Sequence, residues 1–284
     1  LSVTDLRDIA GTVDLESGTL LEAIKAGTRA FGGKAANFGA MSNIEDLPVP
    51  KAFAIPVYFY MEFMEQNGFD QQVDAMLADP EFLDSPKVRD EQLAALRAAM
   101  QVATVGASFE SLLLDKLNTE YPGVRVRFRS STNAEDLDGF TGAGLYDSRS
   151  GQPDNPEYPL FDAVREVWAS VWSFRAFEER SYRSIDHRQV GMALLVHRSF
   201  PDEEANGVAL TNNPFDPSGL QPAFYINVQE GEESVVSPDP GTSTDAILYY
   251  YDSPGQPITY VSRSSLVPSG SSVLTNTQIN ELGK

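Results

Sequence analysis

Residues 124–148 of this 284-residue chain read VRVRFRSSTNAEDLDGFTGAGLYDS, and the rest of the sequence is best interpreted outward from them. The first six residues alternate between apolar and basic side chains, which is the period-two pattern of a β-strand. A polar loop is predicted over residues 130–133, followed by the acidic pair Glu135 and Asp136. A glycine-spaced turn over residues 139–144 then leads into a second predicted strand. Bases, hydroxyls, carboxylates and flexible backbone in one segment suit a polyanion and its metal ion better than a hydrophobic ligand.

The charged residues of this segment leave two interpretations open. Arg125, Arg127 and Arg129 can line the solvated face of an edge strand. Alternatively, Arg129 at the strand's end points into a cleft and holds phosphate oxygens with its planar guanidinium. Glu135 and Asp136 can face a magnesium ion, which prefers carboxylate and phosphate oxygens. They can equally begin a helix in solvent, which is the favoured interpretation.

Composition excludes several classes of protein. The net charge of -20 argues against a general nucleic-acid binder, although one local basic cluster can still hold a phosphate chain. The chain has no cysteine, so disulfides, thiol nucleophiles and cysteine-bound metals are excluded, and we expect a cytoplasmic protein. No apolar run approaches the roughly 20 residues of a membrane-spanning helix.

The pattern of elements predicts an α+β protein with two lobes. Helices dominate residues 1–190, including one long helix over residues 161–183 in which Trp168 and Trp172 form part of the core. Short strands separated by proline- and glycine-rich turns dominate residues 191–284. Thr275 and Gln278 form the capping box of a last helix that the chain barely begins. This end, together with a first residue other than methionine, leads us to expect a part of a longer protein.

Residues 32–34, Gly-Gly-Lys, form a second candidate anion site. Glycines allow backbone amides to approach an anion, a following helix N-terminus favours negative charge, and Lys34 adds a point charge. The segment lacks the other residues of a Walker loop, so a simple turn with a surface lysine remains an alternative.

The two histidines carry weaker signals. His187 lies in a polar segment, which indicates a surface position or a structural hydrogen-bond donor. His197 ends an apolar strand, where it can line a ligand crevice or be a satisfied core residue. Their spacing fits no shared metal site.

The combination of motifs resembles the N-terminal domain of phosphoenolpyruvate synthase and pyruvate phosphate dikinase. Residues 32–39 (GGKAANFG) and 49–55 (VPKAFAI) are similar to the family's GGKNASLGEM and VPPGFAVT blocks, and residues 129–137 (RSSTNAEDL) to its RSSATAEDL. Residues 143–148 (AGLYDS) are closer to glucan, water dikinase. The helix containing VWASVW, then LVHR and GVALTNNP, resembles the family's WASL, VVQRMV and SGVMFTxDP blocks. The match runs in order from about residue 31 to 240, and weakly over residues 274–282.

This resemblance implies an ATP-grasp nucleotide-binding domain with a C-terminal lobe that is incomplete here. It implies that Lys34 and Arg129 are catalytic and hold the phosphates of ATP, with Mg²⁺ assistance. It further implies a mobile glycine loop that contains Thr141, Gly142 and Gly144. The edge of the adenine site would be formed by His197, Ser199 and Phe200. In the family, this domain passes a phosphoryl group to a histidine on a separate domain, and from there to an acceptor such as pyruvate or a glucan.

Three departures limit the inference. His197 replaces the family's glutamine, and residues 228–233 (VQEGEE) replace its GLGE block, retaining at best the acid at Glu233. The metal-binding DIEF…LQxRP strands and the carrier-histidine signature are absent from the chain. We therefore expect an ATP-dependent phosphotransferase domain that lacks full turnover by itself. One alternative is a catalytically silent nucleotide-binding or regulatory module that keeps the ATP-grasp fold. Another, resting only on Tyr249–Tyr251, is a sugar-processing enzyme that does not use ATP.

Overall fold

The computed structural model describes residues 3–16, 18–134, 144–201, 203–231, 235 and 240–284. Helices and sheets are both present, which confirms the α+β class. The chain divides into two compact units, Leu1–Ser199 and Phe200–Lys284. The boundary predicted after residue 190 is therefore too early, because the strand that follows belongs to the sheet of the first unit.

The first unit combines a sheet with helices on both of its faces. Its helices are α1 (Leu20–Ser42), α2 (Val57–Gln66), α3 (Phe69–Ala78), α4 (Pro80–Asp84), α5 (Pro86–Val102), α6 (Ala107–Glu120), α7 (Leu160–Ala169) and α8 (Phe174–Tyr182). Its strands are β1 (Arg7–Asp8), β2 (Ala52–Ile55), β3 (Val126–Thr132), β4 (Ser148–Gly151) and β5 (Met192–Arg198). Short 3-10 helices cover Ile9–Thr12, Ser170–Trp172 and His187–Gln189.

The antiparallel sheet of this unit has the order β1-β2-β5-β3-β4. The arginine-bearing strand β3 is therefore internal, and the edge-strand interpretation is wrong. The loop predicted from residue 130 is also wrong, because Ser130, Ser131 and Thr132 continue the ladder opposite β5. Tertiary pairing supplies backbone hydrogen bonds that the polar sequence by itself does not suggest.

One face of the sheet forms the main hydrophobic core. Phe53 and Phe128 of the sheet are fully buried in the same cluster as Trp168, whose ring lies 5.0 Å from that of Phe63. Trp172 is 2% exposed, so both tryptophans are core residues as predicted. Burial of such large apolar surfaces is the main favourable contribution to folding.

The long helix predicted over residues 161–183 is interrupted. The Ser170 hydroxyl donates to the carbonyl oxygen of Val167, a 3-10 turn follows, and Ser173 begins α8 by accepting a hydrogen bond from the amide of Ala176. Serine competes well for backbone partners and favours helix starts, which explains the break.

The second unit is a smaller sheet with one helix. Its strands are β6 (Ala205–Leu210), β7 (Phe224–Glu230), β8 (Asp245–Tyr249) and β9 (Ile258–Ser262), paired in that order and antiparallel, and its helix is α9 (Asn276–Leu282). Ile279 of α9 packs with Ile226 and Ile247 of the sheet. The predicted capping box between Thr275 and Gln278 is present. Within the described ranges, we find no helix with the length and apolar character needed to cross a membrane.

Candidate functional site

A kink in α1 brings the Gly-Gly-Lys segment against strand β3. Gly32 has φ 77° and ψ 164°, a conformation that in practice only glycine adopts. A Cβ atom at this position would lie 2.0 Å from the carbonyl oxygen of Ser131. Gly32 therefore lets α1 bend where its backbone meets β3.

Ser131 stabilises the contact between the kink of α1 and strand β3. Its buried hydroxyl donates to the carbonyl oxygen of Phe31 (2.8 Å) and accepts a hydrogen bond from the amide of Ala35 (2.9 Å). Backbone groups left without helical partners at the kink are satisfied in this way. The amide of Ala35 thus already has an acceptor, so the glycine turn does not present it to an anion. No local pattern in the sequence distinguishes Ser131 from its neighbours.

Lys34 follows the kink and reaches the end of β3. Its amino group lies 2.6 Å from the carbonyl oxygen of Ser130, a residue 96 positions away in the chain. The hydroxyl of Ser130 lies 3.5 Å from the same nitrogen. The structure therefore places the charge of Lys34 beside the residue that immediately follows Arg129.

The arginines of β3 lie on the sheet face that α1 partly covers. Arg129 is directly opposite Leu195 of β5, which packs against Phe31 and Ala35 of α1. Residues directly opposite in an antiparallel ladder share a face, so Arg129 belongs to the α1 side of the sheet. Phe128 projects to the main core instead.

The three arginines differ in their surroundings. Arg125 stacks over the ring of Tyr158 at 4.3 Å, and Arg127 donates to the hydroxyl of Ser150 at 3.3 Å. The Arg129 side chain is exposed and, within the described part of the chain, has neither a hydrogen bond nor an ion pair. Its role in binding a phosphate remains a prediction.

His197 lies on the same face as these arginines, directly opposite Arg127. Its ring is 8% exposed, and its Nδ1 lies 2.7 Å from the carbonyl oxygen of Arg198. Because a carbonyl only accepts, Nδ1 carries the hydrogen of this bond. Burial lowers the pKa of His197, and the charges of Arg129 and Arg127 lower it further. The imidazole is thus held neutral beside a basic surface.

The remaining predicted site residues are placed only in part. The Ser199 hydroxyl lies 3.0 Å from that of Ser150, at the end of the first unit. Phe200 begins the second unit and is 43% exposed. Gly144 has φ 70°. Thr141, Gly142, Glu135, Asp136 and Glu233 lie outside the described residues.

Among the described residues, no group of three or more histidine, aspartate or glutamate side chains converges as metal ligands. The described surface around Lys34 and Arg129 offers cationic groups and hydroxyls, both of which bind phosphate oxygens. The cationic groups repel a bare metal ion. This surface does not fit a protein-held Mg²⁺ ion.

His187 is half-buried and belongs to a polar cluster with Arg180 and Ser181. Its ring stacks on Phe177 with centroids 3.9 Å apart, and its Nδ1 accepts a hydrogen bond from Nε of Arg180 at 3.2 Å. Nε2 therefore carries the proton and lies 3.1 Å from the hydroxyl of Ser181. Burial and then the charge of Arg180 lower the pKa of His187 to about 4. The structural role is confirmed, but His187 accepts from Arg180 as well as donating.

Comparison with known proteins identifies the family. Residues 28–244 match the family described as pyruvate phosphate dikinase, AMP/ATP-binding domain. This match covers more than half of the chain, and the chain belongs to this family. It is thus an ATP-binding domain of the dikinase type.

Several curated proteins are similar to the chain. A probable phosphoenolpyruvate synthase of Staphylothermus marinus is 30% identical over 225 residues, which are 76% of this chain and 26% of that protein. Another, of Methanothermobacter thermautotrophicus, is 29% identical over 191 residues, which are 64% of this chain and 27% of that protein. A rifampicin phosphotransferase of Bacillus cereus is 26% identical over 191 residues, covering 64% and 21% respectively. The chain thus matches only about a quarter of the length of these relatives, which are phosphotransferases. The local similarity to glucan, water dikinase remains a prediction.

Proposed function

We propose that this chain is the ATP-binding part of a phosphoenolpyruvate synthase-like dikinase with an ATP-grasp fold. In this proposal, a phosphoryl group passes from Mg-ATP to a carrier histidine on a separate domain, and from there to an acceptor held by a further domain. The observation that carries the proposal is the contact of 2.6 Å between the Lys34 amino group and the Ser130 carbonyl oxygen. It places one cation at the backbone of the residue that follows Arg129, although the two segments are far apart in the sequence.

The chemistry of phosphoryl transfer explains why this pairing matters. Charge spreads over the equatorial oxygens of the transferred group, and catalysis consists largely of positioning and electrostatic stabilisation. Arg129 can hold two phosphate oxygens with its planar fork, while Lys34 adds a compact charge. Mg²⁺ arrives as part of the substrate, Mg-ATP, and the proposal needs no protein-held ion among the described residues.

In this proposal, a separate acceptor-binding domain determines which molecule receives the phosphoryl group. The relatives include phosphoenolpyruvate synthases and rifampicin phosphotransferases, whose names indicate different acceptors. A shared ATP-binding domain with different acceptors fits an arrangement in which one domain binds ATP and another binds the acceptor. We propose the same arrangement here, with phosphohistidine-carrier and acceptor-binding domains as partners.

Titration calorimetry with Mg-ATP tests the proposal. We expect the chain to bind Mg-ATP and Arg129→Ala to weaken binding at least about tenfold, because one bidentate charged contact is lost. Arg149→Ala is the matched control. Arg149 lies on the neighbouring strand and pairs with Glu166, and its partner across the ladder, Phe128, projects into the main core. The absence of Mg-ATP binding, or equal losses in both variants, would contradict the proposal.

The alternative is a catalytically silent module that keeps the fold. The neutral, buried His197 in place of a glutamine motivates it. This alternative predicts that a longer protein containing this chain binds no Mg-ATP, so the same calorimetric measurement separates the two functions.

A further inference from the structure

Arg180 of α8 is a buried cation without a counterion among the described residues. It is 0% exposed. Its Nε donates to Nδ1 of His187, and its Nη1 lies 3.5 Å from the hydroxyl of Tyr146. Its Nη2 is buried and has no hydrogen-bond partner. No described carboxylate lies within ion-pair distance of it.

This arrangement costs free energy. A guanidinium stays protonated in proteins, so Arg180 cannot become neutral by losing a proton as a buried lysine can. A buried charge without a partner of opposite sign is strongly unfavourable, and a partial cation–π contact offsets little of that penalty. Trp172 supplies such a contact, with its ring centroid 5.6 Å from the guanidinium carbon. Local violations of this kind are characteristic of functional positions.

Arg89 shows what a purely structural arginine looks like in the same region. Its Nε lies 2.5 Å from a carboxylate oxygen of Glu178, also on α8, and its Nη1 donates to the carbonyl oxygens of Phe82 and Leu83. Every one of these partners is an oxygen acceptor, and one is charged. The partners of Arg180 are instead an imidazole and a phenol, both neutral.

The phenol connects Arg180 to the proposed nucleotide site. Tyr146 is half-buried and follows Gly144 by two residues. Gly144 has φ 70°, is exposed, and belongs to the segment that the family resemblance assigns to the ATP phosphates. Arg180 is also close to Tyr60, whose hydroxyl accepts from Nε1 of Trp172 at 3.0 Å. The guanidinium thus lies between the Trp172–Tyr60 pair, His187 and Tyr146 as its described neighbours.

We propose that Arg180 is a positioning residue for the bound nucleotide, acting through Tyr146 on the backbone at Gly144. This inference rests on the proposed function. The buried charge is retained because its directional contact with Tyr146 fixes the chain where it leaves the phosphate site. Arg180 itself does not touch the nucleotide.

Mg-ATP affinity and thermal stability, measured on the same variants, test this role. In Arg180→Met the charge is replaced by an apolar side chain, and we expect an unchanged or higher melting temperature together with about tenfold weaker Mg-ATP binding. Arg180→Lys should recover part of the affinity. Tyr146→Phe keeps the ring and should weaken binding without unfolding the chain. The double variant should bind no worse than Arg180→Met, because both changes remove one contact.

Arg89→Met is the control, and its expected result is the reverse: a lower melting temperature with unchanged affinity. A lower melting temperature and unchanged affinity in Arg180→Met would show a merely structural residue and overturn the inference. If Arg180→Met fails to fold, unchanged affinity in Tyr146→Phe overturns it equally. If the unaltered chain binds no Mg-ATP, the proposed function fails, a result distinct from both.

Discussion

The amino group of Lys34 and the carbonyl oxygen of Ser130 lie 2.6 Å apart, which joins the kinked helix α1 to the end of strand β3. This contact brings together two basic motifs that lie 96 positions apart in the sequence. It places the lysine charge at the backbone of the residue that follows Arg129.

Lys34→Met should weaken the binding of Mg-ATP with little effect on the stability of the fold. The substitution keeps most of the apolar stem but removes the charge, so we expect Mg-ATP affinity to fall at least about tenfold. The free energy of unfolding should fall by only about 1 kcal/mol, since the partly buried hydrogen bond to the Ser130 carbonyl is lost. Calorimetry and urea unfolding measure the two quantities. Unchanged affinity would remove Lys34 from the site.

Gly32→Ala should be strongly destabilising. The new Cβ atom would lie 2.0 Å from the Ser131 carbonyl oxygen, and the backbone conformation is closed to alanine. Gly68→Ala is the matched control, because Gly68 has φ 70° but nothing lies within 4 Å of its added Cβ. We expect the free energy of unfolding to fall by about 1 kcal/mol in the control, from backbone strain alone, and by at least about 3 kcal/mol in Gly32→Ala. Equal effects in urea unfolding would contradict the close approach.

Ser131→Ala should destabilise the first unit by about 1–3 kcal/mol. The buried hydroxyl serves both Phe31 and Ala35, and its removal leaves two backbone polar groups without partners. Ser148→Ala, at a half-buried position on β4, should change the stability by less than about 0.5 kcal/mol. Denaturant unfolding of both variants provides the comparison. A loss in Ser131→Ala no larger than that in the control would mean that water replaces the hydroxyl.

Stability should fall as the pH decreases from about 6.5 towards 4. The pKa of His187 is about 4 in the folded protein and 6.5 in the reference state, so the unfolded chain binds the proton first and is favoured across this window. The loss at pH 5 relative to pH 7.5 should be about 2 kcal/mol from His187.

His187→Gln removes this titration while leaving an oxygen that can accept from Arg180. The variant should therefore show a flatter pH profile of unfolding free energy between pH 7.5 and 5. His197→Gln, measured in parallel, removes the contribution of the other histidine, whose pKa is also lowered. A profile of His187→Gln as steep as that of the unaltered chain would rule out the half-buried neutral imidazole.

Asp245→Asn should destabilise the second unit by about 1–3 kcal/mol. The fully buried carboxylate accepts hydrogen bonds from the backbone amides of Ser264 (2.8 Å) and Val273 (2.7 Å). An asparagine can satisfy one of them, but its amino group then faces the other donor. Asp252→Asn, at an exposed turn, is the control and should be nearly neutral. Similar unfolding midpoints for the two variants would contradict the buried network.

Several elements followed directly from the sequence because their signals are local. The strand over 52–55, the helix from Pro86 to Val102 and the capping box at Thr275 depend on alternation, on capping residues and on proline at a helix start. The family also followed from ordered motifs, and the match over residues 28–244 confirms it. These features depend on neighbours in the chain, which a sequence displays.

Other features were decided only in three dimensions. The sequence indicated a loop at Ser130–Thr132, but pairing with β5 makes these residues part of a central strand. Nothing local shows that Ser131 completes the kink at Gly32, or that Arg180 lies beside Tyr146 and His187. Burial and long-range hydrogen bonding determine such positions, because an unpaired buried group costs far more than local propensity contributes. The sequence by itself predicted Lys34 and Arg129 as phosphate-binding cations, and the tertiary structure decided that the Lys34 amino group lies against the Ser130 carbonyl oxygen, because that contact joins residues 96 positions apart.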